Sequence, residues 1–250
     1  MENSTPVVAA RHIAKRFGHV QALRDASVSV TAGRVVALVG DNGAGKSTLV
    51  KTLLGINRPD SGEVVIGGHV VDLHGIRDAQ ARGVDAVHQD LALAPDLSVV
   101  DNMFLGHEEV VGPGLLRRRT MTERADAALR ELGIALPSLT VAVRELSGGQ
   151  RQAVAVARAV MWSSTAVLMD EPTAALGARQ SEIIADLMRT VAARGLGVLV
   201  ISHDLPRILK AADEVTVLWR GETVLEAPAS DLTVPDLVAT MVGYRAEEQS

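Results

Sequence analysis

The sequence contains no cysteine. Disulfides and thiolate metal sites are therefore excluded, and the composition suits a reducing cytosol. Aromatic residues are almost as scarce: Phe17, Phe104, Trp162, Trp219 and Tyr244 make up 2% of the 250 residues. Basic stretches are missing too, since the net charge is −5 and the densest run is Arg117-Arg118-Arg119. Nucleic-acid binders need a basic face, and single-strand binders also need stacking platforms, so nucleic acid is not an expected partner. The arginine run reads as the solvated lead-in to a helix. Apolar runs such as Val198–Ile201 are strand-sized and too short to cross a bilayer. The stretch Met1–Pro6 has neither the basic start nor the apolar segment of a signal peptide. Any membrane association is expected to come through a partner. What remains, 47% hydrophobic and 22% charged, is ordinary for a folded chain with a sizeable core.

Against that plain background one segment stands out. Gly40-Asp41-Asn42-Gly43-Ala44-Gly45-Lys46-Ser47-Thr48 fits G-x-x-x-x-G-K-[ST]. The apolar run Val35–Val39 enters it, and the helix-like stretch Ser47–Leu54 leaves it. Glycines at 40, 43 and 45 let the backbone curl so that successive N–H groups point inward at phosphate oxygens. A helix N-terminus behind the loop adds its dipole and unpaired donors. Lys46 is expected to reach the β- and γ-phosphates, and the Ser47 hydroxyl to ligate Mg²⁺. This is the pattern of a nucleotide-phosphate binder.

Short β-branched runs recur along the chain, at Val7–Ala9, Val28–Val30, Val35–Val39, Val64–Ile66, Val84–Val87, Val167–Met169, Val198–Ile201 and Val215–Leu218. Helical periodicity lies between many of them, as in Ile183-Ile184, Leu187-Met188 and Val191. The alternation predicts an α/β core with a mainly parallel sheet covered on both faces. The segment from about Leu91 to Trp162 lacks a clear buried strand and holds helix candidates at Thr120–Leu132 and Ser147–Met161. It reads as a helical subdomain inserted into the core. The tail Tyr244–Ser250 is polar and expected to fray.

Two further constellations carry chemistry. Ala166–Glu171 is a buried-strand pattern ending in adjacent carboxylates. Successive strand residues face opposite ways, so Asp170 and Glu171 are expected to divide the work. Beside a phosphate loop the first holds Mg²⁺, and the second orients or deprotonates the attacking water. Leu146-Ser147-Gly148-Gly149-Gln150 is a second glycine-rich helix opening. Ser147 is a natural N-cap, and the two glycines leave first-turn N–H groups open to an anion.

Together these motifs resemble the ATP-binding cassette (ABC) ATPases, and the set stands in family order. The Walker A loop at Gly40–Thr48 is followed by Gln89, which matches the Q-loop, then by the Leu146–Gln150 signature. The Walker B strand ending at Asp170-Glu171 and the switch-histidine motif Ile201-Ser202-His203-Asp204 complete it. Phe17 falls where the family places the aromatic that stacks on adenine. The resemblance runs from about Val7 to Gly243. It implies a P-loop NTPase (RecA-like) core with an antiparallel β subdomain and an inserted α-helical subdomain. On that reading residues 1–243 form one ATPase domain, with the core at about 1–90 and 163–243 and the helical subdomain at about 91–162.

The resemblance also implies roles. ATP would be held by Gly40, Asn42, Gly43, Ala44, Gly45, Lys46, Ser47 and Thr48, with Phe17 on the base. Mg²⁺ and its waters would be organised by Ser47, Gln89 and Asp170. Glu171 is the expected general base, His203 the contact to the γ-phosphate, and Gln89 a third catalytic group. Cassettes of this family pair face to face, so Ser147, Gly148, Gly149 and Gln150 are expected to bind the nucleotide of a second copy. The other histidines receive no role. One departure is plain: most relatives carry Ser-Ala-Leu-Asp after Walker B, whereas this chain has Ala174-Ala175-Leu176-Gly177. Gly177 cannot make the aspartate's cross-dimer contact.

That variant, with the stretch Asp90–Gly106, is similar to cassettes of bacterial monosaccharide importers of the ribose, xylose and fructose class. The expected partners are transmembrane permease subunits, a second copy in a homodimer, and an external sugar-binding protein acting through the complex. The expected location is the cytoplasmic face of the cell (inner) membrane, peripherally bound. No maltose-type C-terminal regulatory domain is expected. An ABC transporter ATPase for another cargo, such as a branched-chain amino acid or a lipid, is the alternative, because motor motifs do not specify what a partner carries. Relatives that act on soluble partners usually carry fused cassettes, coiled-coil insertions or basic tails, and none appears here.

Overall fold

The computed structural model describes residues 5–112, 114–174 and 176–243. The expectation for the tail at 244–250, and the conformation of Ala175, lie outside the described residues. The elements run β1 (Val8–Phe17), β2 (Val20–Val30), β3 (Val35–Val39), α1 (Lys46–Leu53), β4 (Ser61–Ile66), β5 (His69–Val71), α2 (Ile76–Ala81) and β6 (Val84–Val87). Then come α3 (Val99–Phe104), β7 (Val110–Gly112), β8 (Leu115–Leu116), α4 (Arg118–Glu131) and α5 (Gly148–Trp162). The last part holds β9 (Ala166–Asp170), α6 (Ala178–Ala193), β10 (Gly197–Ile201), α7 (Leu205–Ala211), β11 (Glu214–Trp219), β12 (Glu222–Pro228) and α8 (Val234–Met241).

Ten strands form one sheet in the order β5-β4-β1-β2-β12-β11-β3-β10-β9-β6. The sheet joins the expected parallel core to the expected antiparallel β subdomain. β11, β3, β10, β9 and β6 run parallel, whereas β1 with β2 and β4, β4 with β5, and β11 with β12 are antiparallel. The reason lies in two-residue turns, which can join only antiparallel neighbours. Gly67-Gly68 and Arg220-Gly221 both have positive φ at each position, the backbone a tight hairpin requires.

β3 is buried at every residue, as a central strand covered on both faces must be. Its side chains alternate between two cores: Val35, Ala37 and Val39 join one, Val36 and Leu38 the other. The first core takes the inner faces of α3–α8, and the second packs α1 and α2 with the antiparallel strands. On α6, Ile184, Leu187, Met188 and Val191 form the buried stripe at helical spacing, each worth about 1.5–3 kcal/mol of apolar burial. Ile183, beside that stripe, is exposed.

Between Leu91 and Trp162 the chain forms α3, the short β7–β8 pair, α4 and α5. Val110, Val111 and Leu115 of that pair are exposed. Arg117 immediately precedes α4, and the next two arginines pair locally, Arg118 with Asp101 at 2.6 Å and Arg119 with Glu123 at 2.8 Å. Among the described residues no helix is long and apolar enough to cross a membrane.

Candidate nucleotide site

Four adjacent parallel strands end at one edge. Ile201 of β10 is in register with Leu38 of β3 on one side and Asp170 of β9 on the other, and Val87 of β6 pairs with Met169. The loops leaving these strands carry Gly40–Lys46, Asp170-Glu171, Ser202-His203 and His88-Gln89. Carboxyl ends of parallel strands are where α/β sheets bind ligands.

The phosphate loop is fastened into this edge. A Cβ on Gly40 would lie 2.2 Å from the Leu218 carbonyl oxygen, and one on Gly45 2.6 Å from Leu23 Cδ2 and 2.7 Å from the Ala22 carbonyl. Those two glycines are demanded by packing against β11 and β2. Gly43, at φ +80, has nothing within 4 Å of its missing Cβ, so its backbone stands open on the ligand side. Lys46 is 6% exposed, and its Nζ donates to the carbonyls of Gly40 at 2.7 Å and Asp41 at 2.9 Å. Burial pulls the Lys46 ammonium down from its usual range, against the attraction of Glu171, Asp41 and Asp170. A buried cation facing three carboxylates and an open donor-rich loop is built to receive an anion. Thr48 lies in α1, with its carbonyl accepting from the Thr52 hydroxyl at 2.9 Å.

Asp170 is pushed above the ordinary carboxylate range, first by burial and then by the Glu171 charge. The Ser47 hydroxyl hydrogen-bonds to it, and His88 and Lys51 stand close enough to oppose the rise. A carboxylate and a hydroxyl side by side, both hard oxygen donors, fit Mg²⁺, which takes few protein ligands and completes its shell with phosphates and water. Among the described residues no cluster of three metal-ligating side chains exists, so a wholly protein-built metal site is not the alternative.

Glu171 has φ 52, a left-handed backbone that a non-glycine residue adopts at a cost of about 1–3 kcal/mol. Its N–H donates to the Ile201 carbonyl at 3.0 Å, which ties it to β10. His203 Nε2 stands 2.6 Å from Glu171 Oε1. With Glu171 ionised, that bond requires the proton on Nε2. Gln89 lies two residues past the end of β6, in the turn His88–Leu91.

The signature is built differently. Ser147 caps α5 reciprocally: Gln150 N–H donates to Ser147 Oγ at 3.3 Å, and Ser147 N–H donates to Gln150 Oε1 at 2.9 Å. Its neighbours come from α6 and the segment just before it. A Cβ on Gly148 would lie 3.5 Å from Leu176 Cδ2, and one on Gly149 3.1 Å from Gln180 Cγ. A cavity of about 400 Å³ beside it is lined by the turn after α4 (Leu132–Ala135), Ser147 and the start of α5, and α6, with no residue of the phosphate loop. The atoms nearest to Gly148 and Gly149 are those of Leu176 and Gln180, not of the phosphate loop. Gly177 precedes α6 at φ −69, a backbone open to any residue, and its N–H donates to Gln180 Oε1 at 3.0 Å. Phe17, 48% exposed, ends β1 with the Lys15 ammonium 5.5 Å from its ring centre.

Sequence reasoning missed His88, Lys51 and Asp41 as neighbours of the charged cluster. No local signal marks them: each is an ordinary loop or helix polar residue until the sheet register brings the strand ends together.

A family model described as ABC transporter matches residues 23–174. The chain is 41% identical over 248 residues to the fructose import ATP-binding protein FrcA of Rhizobium meliloti, covering 96% of this chain and 95% of that protein. It is 42% identical over 234 residues to the xylose/arabinose import ATP-binding protein XylG of Sulfolobus acidocaldarius, covering 94% and 93%. Against the ribose import ATP-binding protein RbsA 1 of Streptomyces coelicolor it is 39% identical, but spans only 48% of that longer protein. Among solved structures, a nucleotide-free ATP-binding cassette matches at a TM-score of 0.81 with 24% identity, covering 96% of this chain and 99% of that one, a likeness of fold. A dimeric post-hydrolysis cassette bound to ADP and Pi matches at 0.74 with 25% identity, covering 89% and 98%.

Proposed function

Because the chain belongs to the ABC transporter family, we propose that it is the ATP-hydrolysing subunit of a monosaccharide importer. The observation that carries the chemistry is the meeting of Lys46, Ser47, Asp170, Glu171 and His203 at adjacent strand ends. The cargo reading is supported by similarity over nearly the whole chain to proteins named for fructose and for xylose/arabinose import.

The phosphates of ATP occupy the loop Gly40–Thr48, where Lys46 exchanges its carbonyl partners for β- and γ-phosphate oxygens, and Phe17 stacks on the base. Mg²⁺, held by Ser47 and Asp170 with Gln89 on its waters, supplies charge neutralisation at the phosphates when bound. Glu171 accepts the proton of the attacking water. The new P–O bond forms as the bond from the γ-phosphorus to the bridging oxygen breaks, and ADP carries away the electron pair. His203 orients Glu171 and contacts the γ-phosphate. Catalysis is then positioning plus electrostatic stabilisation of phosphoryl transfer.

The backing of Gly148 and Gly149 by Leu176 and Gln180 rather than by the phosphate loop supports a face-to-face homodimer in which each signature closes on the partner's nucleotide. The division into a core at 1–90 and 163–243 and a helical subdomain at 91–162 is part of the same reading. The dimer docks on permease subunits at the cytoplasmic membrane face, served by an external sugar-binding protein. Gentle purification of the tagged chain from membranes, with mass spectrometry of what stays bound, tests this. A stoichiometric multi-helix permease is expected, and sugars are then screened for stimulation of its ATPase. A soluble partner with no permease would overturn the importer and leave the ATPase.

A further inference from the structure

The turn that carries Gln89 is held from outside its own loop. Leu91 N–H donates to the His88 carbonyl at 2.9 Å, closing a β-turn with Gln89 and Asp90 at its centre. Leu91 at φ 61 and Ala92 at φ 45 then both stand in the left-handed region, although neither is glycine. Two consecutive residues of this kind persist only where the surroundings impose them. Two of the contacts holding them come from one side chain. Arg158 Nη1 donates to the Ala92 carbonyl at 2.6 Å, and Nη2 to the Leu91 carbonyl at 3.0 Å.

The match is chemical as well as geometric. A guanidinium is a planar fork with fixed donors, and two successive carbonyls turned the same way are what it can bridge. A left-handed pair turns them so. Arg158 is half-buried, and its desolvation is opposed by the charges of Asp85 at the edge strand and Asp90 in the turn itself. Leu91 also packs against the larger core, so the turn is anchored by its side chain and clamped by its carbonyls.

Arg158 sits on α5, the helix that Ser147 opens, about 16 Å along the axis from the signature. We propose that Arg158 is a positioning residue that clamps the Leu91–Ala92 turn and so sets where Gln89 stands, tying that turn rigidly to the helix that carries the signature. The inference rests on the role given to Gln89 above. A displacement of Gln89 on meeting the γ-phosphate then moves α5 as one body, and loss of the clamp uncouples the two.

The test uses the full chain and its steady-state MgATP hydrolysis, with hydrogen–deuterium exchange of the segment 88–94 as a second readout. Arg158→Met is expected to lower kcat about tenfold, to shift KM for ATP less than threefold, and to speed exchange across 88–94. Adding Ala92→Gly should restore at least threefold in kcat, because glycine holds a left-handed backbone unaided. A residue that merely filled space on α5 would show no such rescue, since removing a methyl does not refill a hole. Arg158→Lys, which keeps the charge but loses the fork, covers the case in which the methionine variant fails to fold. It is expected to lose about threefold in kcat and to speed the same exchange. A folded variant with kcat within twofold of the parent, unchanged exchange, or no glycine rescue overturns the proposal. Gln89→Ala separates the premise: unchanged kcat there sinks the role of Gln89, while exchange in the Arg158 variants still reports on the clamp.

Discussion

Two glycine-rich turns open helices in this molecule, and they are held by opposite means. The Gly40–Lys46 loop is locked into the sheet, with Gly40 and Gly45 pressed on β11 and β2 and Lys46 buried beneath it. The Ser147–Gln150 turn is held by its own capping box, with Gly149 close against the side chain of Gln180 in α6. In the first, two of three glycines are required by what lies behind them, and only Gly43 faces open space. In the second, Gly148 and Gly149 have side-chain carbon of Leu176 and Gln180 near their missing Cβ rather than sheet backbone. Under the proposed pairing, the first surface would hold ATP in the open state and the second would meet it on closure.

The comparison can be broken at either end. The largest effect is expected from Glu171→Gln, which removes the carboxylate proposed as the base beside the locked loop. Hydrolysis should fall by about 10²–10⁴-fold, while ATP binding survives and a dimer appears in ATP by size-exclusion chromatography. Unchanged turnover would remove Glu171 from the chemistry. Ser147→Arg attacks the other turn: the monomer should bind ATP with near-parent affinity, yet form no ATP-dependent dimer and lose most hydrolysis. A normal dimer in that variant would contradict the cross-chain role.

Within the locked loop, Gly40→Ala and Gly43→Ala should differ. The first places a methyl against the Leu218 carbonyl and is expected to cost more than about 3 kcal/mol, read as loss of soluble protein or of cooperative melting. The second meets nothing and should cost about 1 kcal/mol of backbone strain while weakening nucleotide binding more than folding. Equal thermal losses would erase the distinction between packed and open glycines.

The smallest effect concerns Asp170. Its folded carboxyl titrates above its unfolded value, so the ionised form is disfavoured by folding. Its contribution to stability is greatest below the unfolded value and declines as pH rises through the folded one. At neutral pH the nucleotide-free protein carries that penalty. Asp170→Asn should raise the Tm of nucleotide-free protein by about 2 °C, while removing the further rise that MgATP gives the parent. A lower Tm would mean that the carboxylate is a structural acceptor for Ser47 rather than a charge awaiting a cation.

Much of the fold and site was legible in the sequence because the motifs are local. β3 and β6 have the bounds of their apolar runs, and α5 starts one residue after its cap. β1 and β2 were visible only at one end, since Arg11, Lys15 and Arg16 interrupt the apolar pattern where one sheet face meets water. β12 alternates too weakly to announce itself, with Glu222 and Glu226 among its residues. Nothing in composition tells that Glu171 has a left-handed backbone, because that is imposed by its tie to Ile201. The grip of Arg158 on Leu91 and Ala92 spans more than sixty residues of sequence, so only the packed chain reveals it.

The strand order has a consequence for how the protein is made. β3, which leads into the phosphate loop, pairs with β10 and β11, the first of which starts at Gly197. On a ribosome adding about 5–20 residues per second, that strand waits ten seconds or more, to order of magnitude, before either neighbour exists. The most apolar stretch of the loop region is therefore without both its sheet neighbours through most of synthesis. Slowing translation between α1 and β10 should lower the yield of active protein more than slowing it after β11.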